Sequence, residues 1–249
     1  MDVRIDPSRV AALAAAIGDP RRGREVPLTY IVVPTFGLVV RTLTEAVDVQ
    51  SLGGGVHGEE DIRIHRPLTP GMRLSATGSV HGVRVSPSGT RIAMRIKAVG
   101  ADGALVVEHF WTTFVRGAML GESKGRDLPD HQLTDEVRAA PARHLSVAVP
   151  DDVTWRYAEA SGDDSPFHTD REAARAAGFP TIILHGMCTL GLVVAAVSPG
   201  AARVAVRFAK PAHPGHPLEV DVYDVAPGVC AFEASSQNVP VLTNGRLEI

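Results

Sequence analysis

The phrase RPLTPGMRL at Arg66–Leu74 returns as KPAHPGHPL at Lys210–Leu218, and this echo decides the architecture. Both copies run basic residue, Pro, two residues, Pro-Gly, two residues, Leu, which points to a chain made of two related units. Following the first copy, Arg73 to Val80, Gly89 to Val99 and Leu105 to Val115 read as strands, with SPSG and GADG as the turns between them. Around the second copy, Arg203 to Phe208, Pro217 to Val225 and Val229 to Ser235 read the same way. Each meander is preceded by apolar helix-forming segments: Ala11 to Ile17 and the stretch around Arg41 to Val47 in the first half, Thr189 to Val197 in the second. The pattern predicts an α+β fold, a helix buried against a curled antiparallel sheet, formed twice, with the two units packed sheet to sheet.

Between the halves, MLGESKGRDLPDHQLTDEVRAAPAR from Met119 to Arg143 is polar and lacks sustained apolar periodicity. It reads as a linker, leaving units at 1–118 and 144–249. Of the 249 residues, 45% are hydrophobic and 21% charged, which is ordinary globular composition. A net charge of −3 gives no reason to expect nucleic acid or an anionic membrane surface as partner. The chain has two cysteines, Cys188 and Cys230, and starts with no basic-then-apolar leader, so a reducing, cytoplasmic setting is expected. Its longest apolar runs are broken by Pro34 and by His185 with Gly186, short of a membrane span.

The chemistry is concentrated in YAEASGDDSPFHTDREAARAAGFPTIILHG, Tyr157 to Gly186. Asp163 and His168 lie five residues apart with Pro166 between them, so a loop carries both and can turn them toward one point. Around one water, a carboxylate and an imidazole make an acid–base pair suited to hydration or dehydration. Read on its own, an Asp-rich turn more often caps a helix or forms an Asx-turn. The context adds to it: a short helix ended by Gly178, the apolar run PTIIL, then His185 and Gly186. If Gly186 opens the helix through Thr189 to Val197, its N–H is an unpaired donor at a positive helix end, able to hold a thioester oxygen as it becomes an enolate.

SGDDSPFHTDREAARAAGF followed by PTIILHGMCTLG resembles the signature of MaoC-like (R)-specific enoyl-CoA hydratases and dehydratases, Gly-Asp-any-Asn-Pro-aliphatic-His with His-Gly further on. VPTFGLVV at Val33–Val40, VHGEEDIRIHRPL at Val56–Leu68 and VRFAKPAHPG at Val206–Gly215 are similar to further segments of that family, in the same order, so the likeness covers nearly the whole chain. It implies two fused hot-dog units, each a sheet around a long helix, with the N-terminal one non-catalytic and forming an acyl tunnel. It implies reversible syn hydration of a trans-2-enoyl-CoA to a (3R)-3-hydroxyacyl-CoA, without a metal or other cofactor. The residues carried over are Asp163 and His168 activating water, Gly186 N–H on the thioester oxygen, and Ser165 and His185 positioning the substrate. Arg207 and Lys210 are the candidates for the CoA phosphates, although basic residues at strand ends are often just solvated. Ser165 stands where the family has Asn and offers a shorter, rotatable hydroxyl. The expected partner is an acyl-CoA, with acyl carrier protein as the alternative carrier, and the expected assembly is a homodimer. The rival functions are an acyl-CoA thioesterase and an acyl-CoA or acyl-carrier binding subunit weakened at Ser165.

Other motifs carry less. GESKG at Gly121–Gly125 has the spacing of a hydrolase elbow but not its strand-to-helix setting. His213 and His216 flank Pro-Gly without acidic or Cys company, Gly53 to Gly55 lacks the Lys of a phosphate loop, and Cys188 reads as packing.

Overall fold

The computed structural model describes residues 1–48 and 55–249 of the protein. Of the Gly53 to Gly55 turn, Gly53 and Gly54 therefore lie outside the described residues, and Gly55 opens a strand. The first half contains β1 (Asp2–Arg4), α1 (Pro7–Ala16), α2 (Val32–Ala46), β2 (Gly55–Ile64), β3 (Arg73–Ser86), β4 (Gly89–Val99) and β5 (Leu105–Arg116). The second contains β7 (Arg143–Val147), α4 (Val153–Ser161), α5 (Arg171–Ala176), α6 (Gly186–Val197), β8 (Arg203–Phe208), β9 (Leu218–Ala226), β10 (Val229–Ser236) and β11 (Val239–Glu248). The architecture is α+β, an antiparallel sheet wrapped around helices in two hot-dog units.

The repeated phrase does the same work in both halves. Gly71 and Gly215 have φ of +88° and +77°, a region costly for residues with a Cβ, and each turns the chain just before a strand of its unit, β3 or β9. The predicted strands are all present, and the meander β3-β4-β5 pairs antiparallel from Ser75↔Val99 to Gly89↔Arg116, with register shifts between Val80 and Gly82 and between Ala98 and Val99.

The sheets do not pack face to face as the sequence reading expected. They join edge to edge: β2 pairs antiparallel with β8 from Glu59↔Arg207 to Arg63↔Arg203, and one sheet of order β1-β3-β4-β5-β2-β8-β11-β10-β9-β7 results. The physical reason is that a lone unit would leave the N–H and C=O groups of β2 or β8 unpaired along one edge, and mutual pairing satisfies both rows. The side chains follow the pleat. Ile62, Val204 and Val206 enter the core shared by α2 and α6, whereas Asp61 on the opposite face is held by Arg63 of its own strand and by Arg203 across the seam.

Two further features tie the halves together. Helix α1, capped by Asp6 accepting from Ser8 N and Arg9 N, lies against α4 of the other half. The stretch expected as a linker is fastened to both units: β6 (Lys124–Gly125) pairs with β3, Arg84 binds Asp127, and beyond it His131 and Leu133 bond to Asn244 and α3 (Asp135–Arg138) supplies Arg138 to Glu233. Ser123 of the GESKG motif accepts from Val85 N, a structural contact.

Candidate active site

Helix α4 ends at Gly162, whose φ of +78° swings the chain out of the helix and into Asp163. The Oδ1 of Asp163 accepts from Ser165 N at 3.2 Å and from Ser165 Oγ at 2.6 Å, so an Asx-turn is formed there. Its Oδ2 receives no donor from the described residues. Pro166 then opens one turn of 3-10 helix, Pro166–His168, which carries the His168 ring inward. Asp170, not Asp163 or Asp164, caps α5. Gly178, at φ +89°, ends that helix and returns the chain through Ile182 to Leu184 toward α6.

The histidine tautomers follow from their acceptors. His168 Nδ1 lies 2.8 Å from Ile183 O, and a carbonyl can only accept, so Nδ1 carries the proton and Nε2 is bare in the neutral ring. His185 Nε2 lies 3.0 Å from Asp163 O, so by the same reasoning its bare nitrogen is Nδ1, which is buried without a partner. Burial favours the neutral form of both: it holds His168 below the usual imidazole range, and burial followed by repulsion from His168 pushes His185 down to about 4. The two rings stack at 3.7 Å. One polar side-chain atom from each of Asp163, His168 and His185 falls within 4.8 Å of the others, so a carboxylate and two imidazoles converge on one place.

Gly186 supplies the opposite polarity. His185 is extended at ψ 136° and helix α6 starts abruptly after it, without a side-chain cap. The N–H groups of the first turn thus have no acceptor among the described residues, at the positive end of a helix of twelve residues. A Cβ here would sit 3.2 Å from the Phe208 ring, close enough that the ring would have to give by a few tenths of an ångström. Tyr157 lies beside His185, and burial raises its pKa well above the usual phenol value, so it remains an O–H. Burial also pushes the Cys188 thiol up, which disqualifies it as a nucleophile at neutral pH.

The structure thus brings Asp163, Ser165, His168, His185 and Gly186 together and separates Arg207 from them. On β8, Phe208 faces Gly186, and Arg207 is exposed on the opposite face of the sheet, lining a cavity of about 320 Å³ with Glu59, Arg84 and Arg91. Lys210 is exposed just beyond the strand end. The sequence reading missed a second polar cluster, in the N-terminal half. Glu60 is fully buried and bonds His109 Nδ1 at 2.7 Å and His57 Nε2 at 3.0 Å. No spacing signal could reveal it, because Glu60 and His109 are 49 positions apart and meet only through the pairing of β2 with β5.

A MaoC like domain model matches residues 131–238. The chain is 35% identical over 217 residues to the 3-hydroxyacyl-thioester dehydratase X of Mycobacterium tuberculosis, covering 84% of this chain and 74% of that protein. It is 31% identical over 231 residues to the enoyl-CoA hydratase ChsH3 of the same organism, covering 82% and 77%. Among solved structures, a MaoC-like dehydratase from Phytophthora capsici superposes with a TM-score of 0.88 at 20% identity, over 99% of this chain and 92% of that one. A similarity of this extent, together with the shared architecture, makes the chain a member of the MaoC-like dehydratase family.

Proposed function

We propose that the protein is a hydro-lyase that reversibly adds water to a trans-2-enoyl-CoA to give a (3R)-3-hydroxyacyl-CoA. The observation that carries this reading is the convergence of Asp163, His168 and His185 at the start of helix α6, whose first N–H, that of Gly186, is taken by none of the described residues. Water between Asp163 Oδ2 and His168 Nε2 gives a proton to the imidazole as its oxygen bonds to C3. The electron pair of the C2–C3 double bond shifts toward the thioester carbonyl, whose developing negative charge Gly186 N–H stabilises. The imidazolium then returns the proton to C2 on the same face, which makes the addition syn and restores the neutral ring. Ser165 supports this by holding Asp163 Oδ1, which leaves Oδ2 for the water. His185 positions the substrate. The CoA phosphates are assigned to Lys210 and Arg207; Arg207 can take part only if the CoA arm reaches over the strand end.

Crotonyl-CoA tests the proposal. Loss of enoyl absorbance with the thioester intact is the expected result. Release of free thiol would make the protein a thioesterase, and binding without either change would make it a carrier subunit. We further infer a cytoplasmic homodimer that accepts CoA or acyl-carrier thioesters, to be checked by light scattering, fractionation and comparison of the two carriers. No helix of the described residues is long and apolar enough to cross a membrane.

A further inference from the structure

The N-terminal polar cluster stands beside the proposed thioester site. The ring of His57 stacks on Trp111 at 3.4 Å and leans on Phe208 at 4.5 Å, and Phe208 is the ring that packs on Gly186. His57 is therefore one aromatic ring away from the free helix end. Phe36, 39% exposed, lies 5.6 Å from Trp111 in turn, so a chain of aromatic contacts runs from Gly186 to the surface of the N-terminal unit.

The proton inventory of the cluster is determined by its acceptors. Thr35 Oγ1 donates to Ile31 O at 2.7 Å, so its contact at 3.0 Å with His109 must be a donation from Nε2. His109 Nδ1 and Glu60 Oε1 then share a proton across 2.7 Å, as a buried ion pair or its neutral equivalent. His57 Nε2 faces two acceptors, Glu60 Oε2 and Glu59 O, and so carries a proton too. Burial favours the neutral His57 ring, which leaves Nδ1 as a bare acceptor to which none of the described residues donates. Every polar atom of Glu60 and His109 is used, and the side chain of His57, 13% exposed, is the cluster's open end.

We propose that His57 is a specificity-determining residue contributed by the N-terminal unit, its Nδ1 accepting a hydrogen bond from a neutral N–H or O–H of the bound thioester, with Glu60 as the positioning residue that fixes the ring. The donor is either an amide N–H of the pantetheine arm or a hydroxyl on the acyl chain. The inference rests on the thioester lying at Gly186. Apolar residues would fill the same core volume without the cost of burying a charged pair. A cluster that ends in an unused acceptor beside a substrate-sized aromatic row has a role that packing does not supply.

The test uses His57→Gln, whose amide nitrogen can keep the contact to Glu60 while the Nδ1 acceptor is lost. Binding of butyryl-CoA, which cannot be hydrated, is measured by calorimetry so that the result does not depend on turnover. The expected outcome is binding about 3–10-fold weaker, the range for one lost neutral hydrogen bond, with KM raised and kcat retained if crotonyl-CoA is a substrate. A loss that vanishes with butyryl ethyl thioester, which has no pantetheine arm, assigns the arm as donor. A loss confined to hydroxylated acyl chains assigns the acyl group. As a check independent of any variant, the ¹⁵N resonance of His57 Nδ1 in the unmodified protein should shift when a thioester bearing the donor is added. Unchanged binding of arm-bearing and hydroxylated thioesters, or an unmoved Nδ1 resonance, overturns the proposal. An inactive parent protein that still shows the His57 effect would instead count against the hydratase reading alone.

Discussion

The two long helices occupy related places in their units and begin in opposite ways. Helix α2 continues out of a turn of 3-10 helix, Leu28–Ile31, so that Val32 N–H is already bonded to Thr29 O, and Pro34 in its first turn has no N–H to offer. Helix α6 begins directly after an extended His185, with nothing spent on its first donors. A duplicated scaffold thus has one sealed helix end and one open end, and the loop with Asp163 and His168 is found beside the open one. The two carboxylates differ in the same sense. Both oxygens of Glu60 are saturated by histidines, whereas Asp163 keeps Oδ2 free. The first carboxylate is spent on fixing its two histidines, and the second has an oxygen left to act on a ligand.

Substitutions can break this contrast. Asp163→Asn or His168→Gln should lower hydration of crotonyl-CoA by about 10²–10⁴ with an unchanged melting temperature, and full activity in either variant would remove the proposed roles. Glu60→Ala should do the reverse in kind: a buried pair losing one partner costs about 3–5 kcal/mol of stability, read as an earlier urea midpoint. Gly186→Ala, whose Cβ would press on the Phe208 ring beside the donor, should lower kcat by less than the about 10²–10³ that loss of the donor itself costs, whereas Val32→Ala at the sealed end of α2 should leave kcat as it was. The acid response comes next. His185 has a pKa near 4 in the fold against about 6.5 unfolded, so the unfolded chain binds more protons between those values. Stability is therefore full above pH 6.5 and lost as pH falls toward 4, on the order of 1–3 kcal/mol, seen as a falling melting temperature that His185→Asn flattens. The smallest change is expected for Lys210→Gln, a rise in KM of up to about fivefold that salt diminishes, because an exposed ion contact is worth roughly 0–1 kcal/mol.

The meanders and the Asp163–His168 loop were legible in sequence because alternation, turn residues and a compact motif are local signals. What escaped was set by partners far along the chain. In β2, GVHGEEDIRI, three successive acidic residues defeat alternation; they are tolerated because Glu60 meets histidines on the inner face and Asp61 meets Arg63 and Arg203 on the outer. Helix α2 begins nine residues before Arg41, where the sequence reading starts it, because Pro34 looks like a breaker but falls in the first turn, where no N–H is needed. Strand β11, VPVLTNGRLE, was hidden by Pro240 and by Asn244-Gly245, which signal a turn but here form a register shift between Thr243 and Arg246 within a continuing strand. The sheet-to-sheet expectation failed for the same reason: edge pairing between β2 and β8 leaves no mark in either strand alone.

That seam also limits how the molecule can be divided. Cut in the crossing segment, each fragment would bare a row of backbone donors and acceptors along β2 or β8, together with the apolar wall its mate had covered. Neither fragment would be a self-sufficient monomer in water. Each would need a mate, whether the other fragment, a twin of itself or an aggregate, so fusion into one polypeptide secures the unlike pairing that only one open helix end requires.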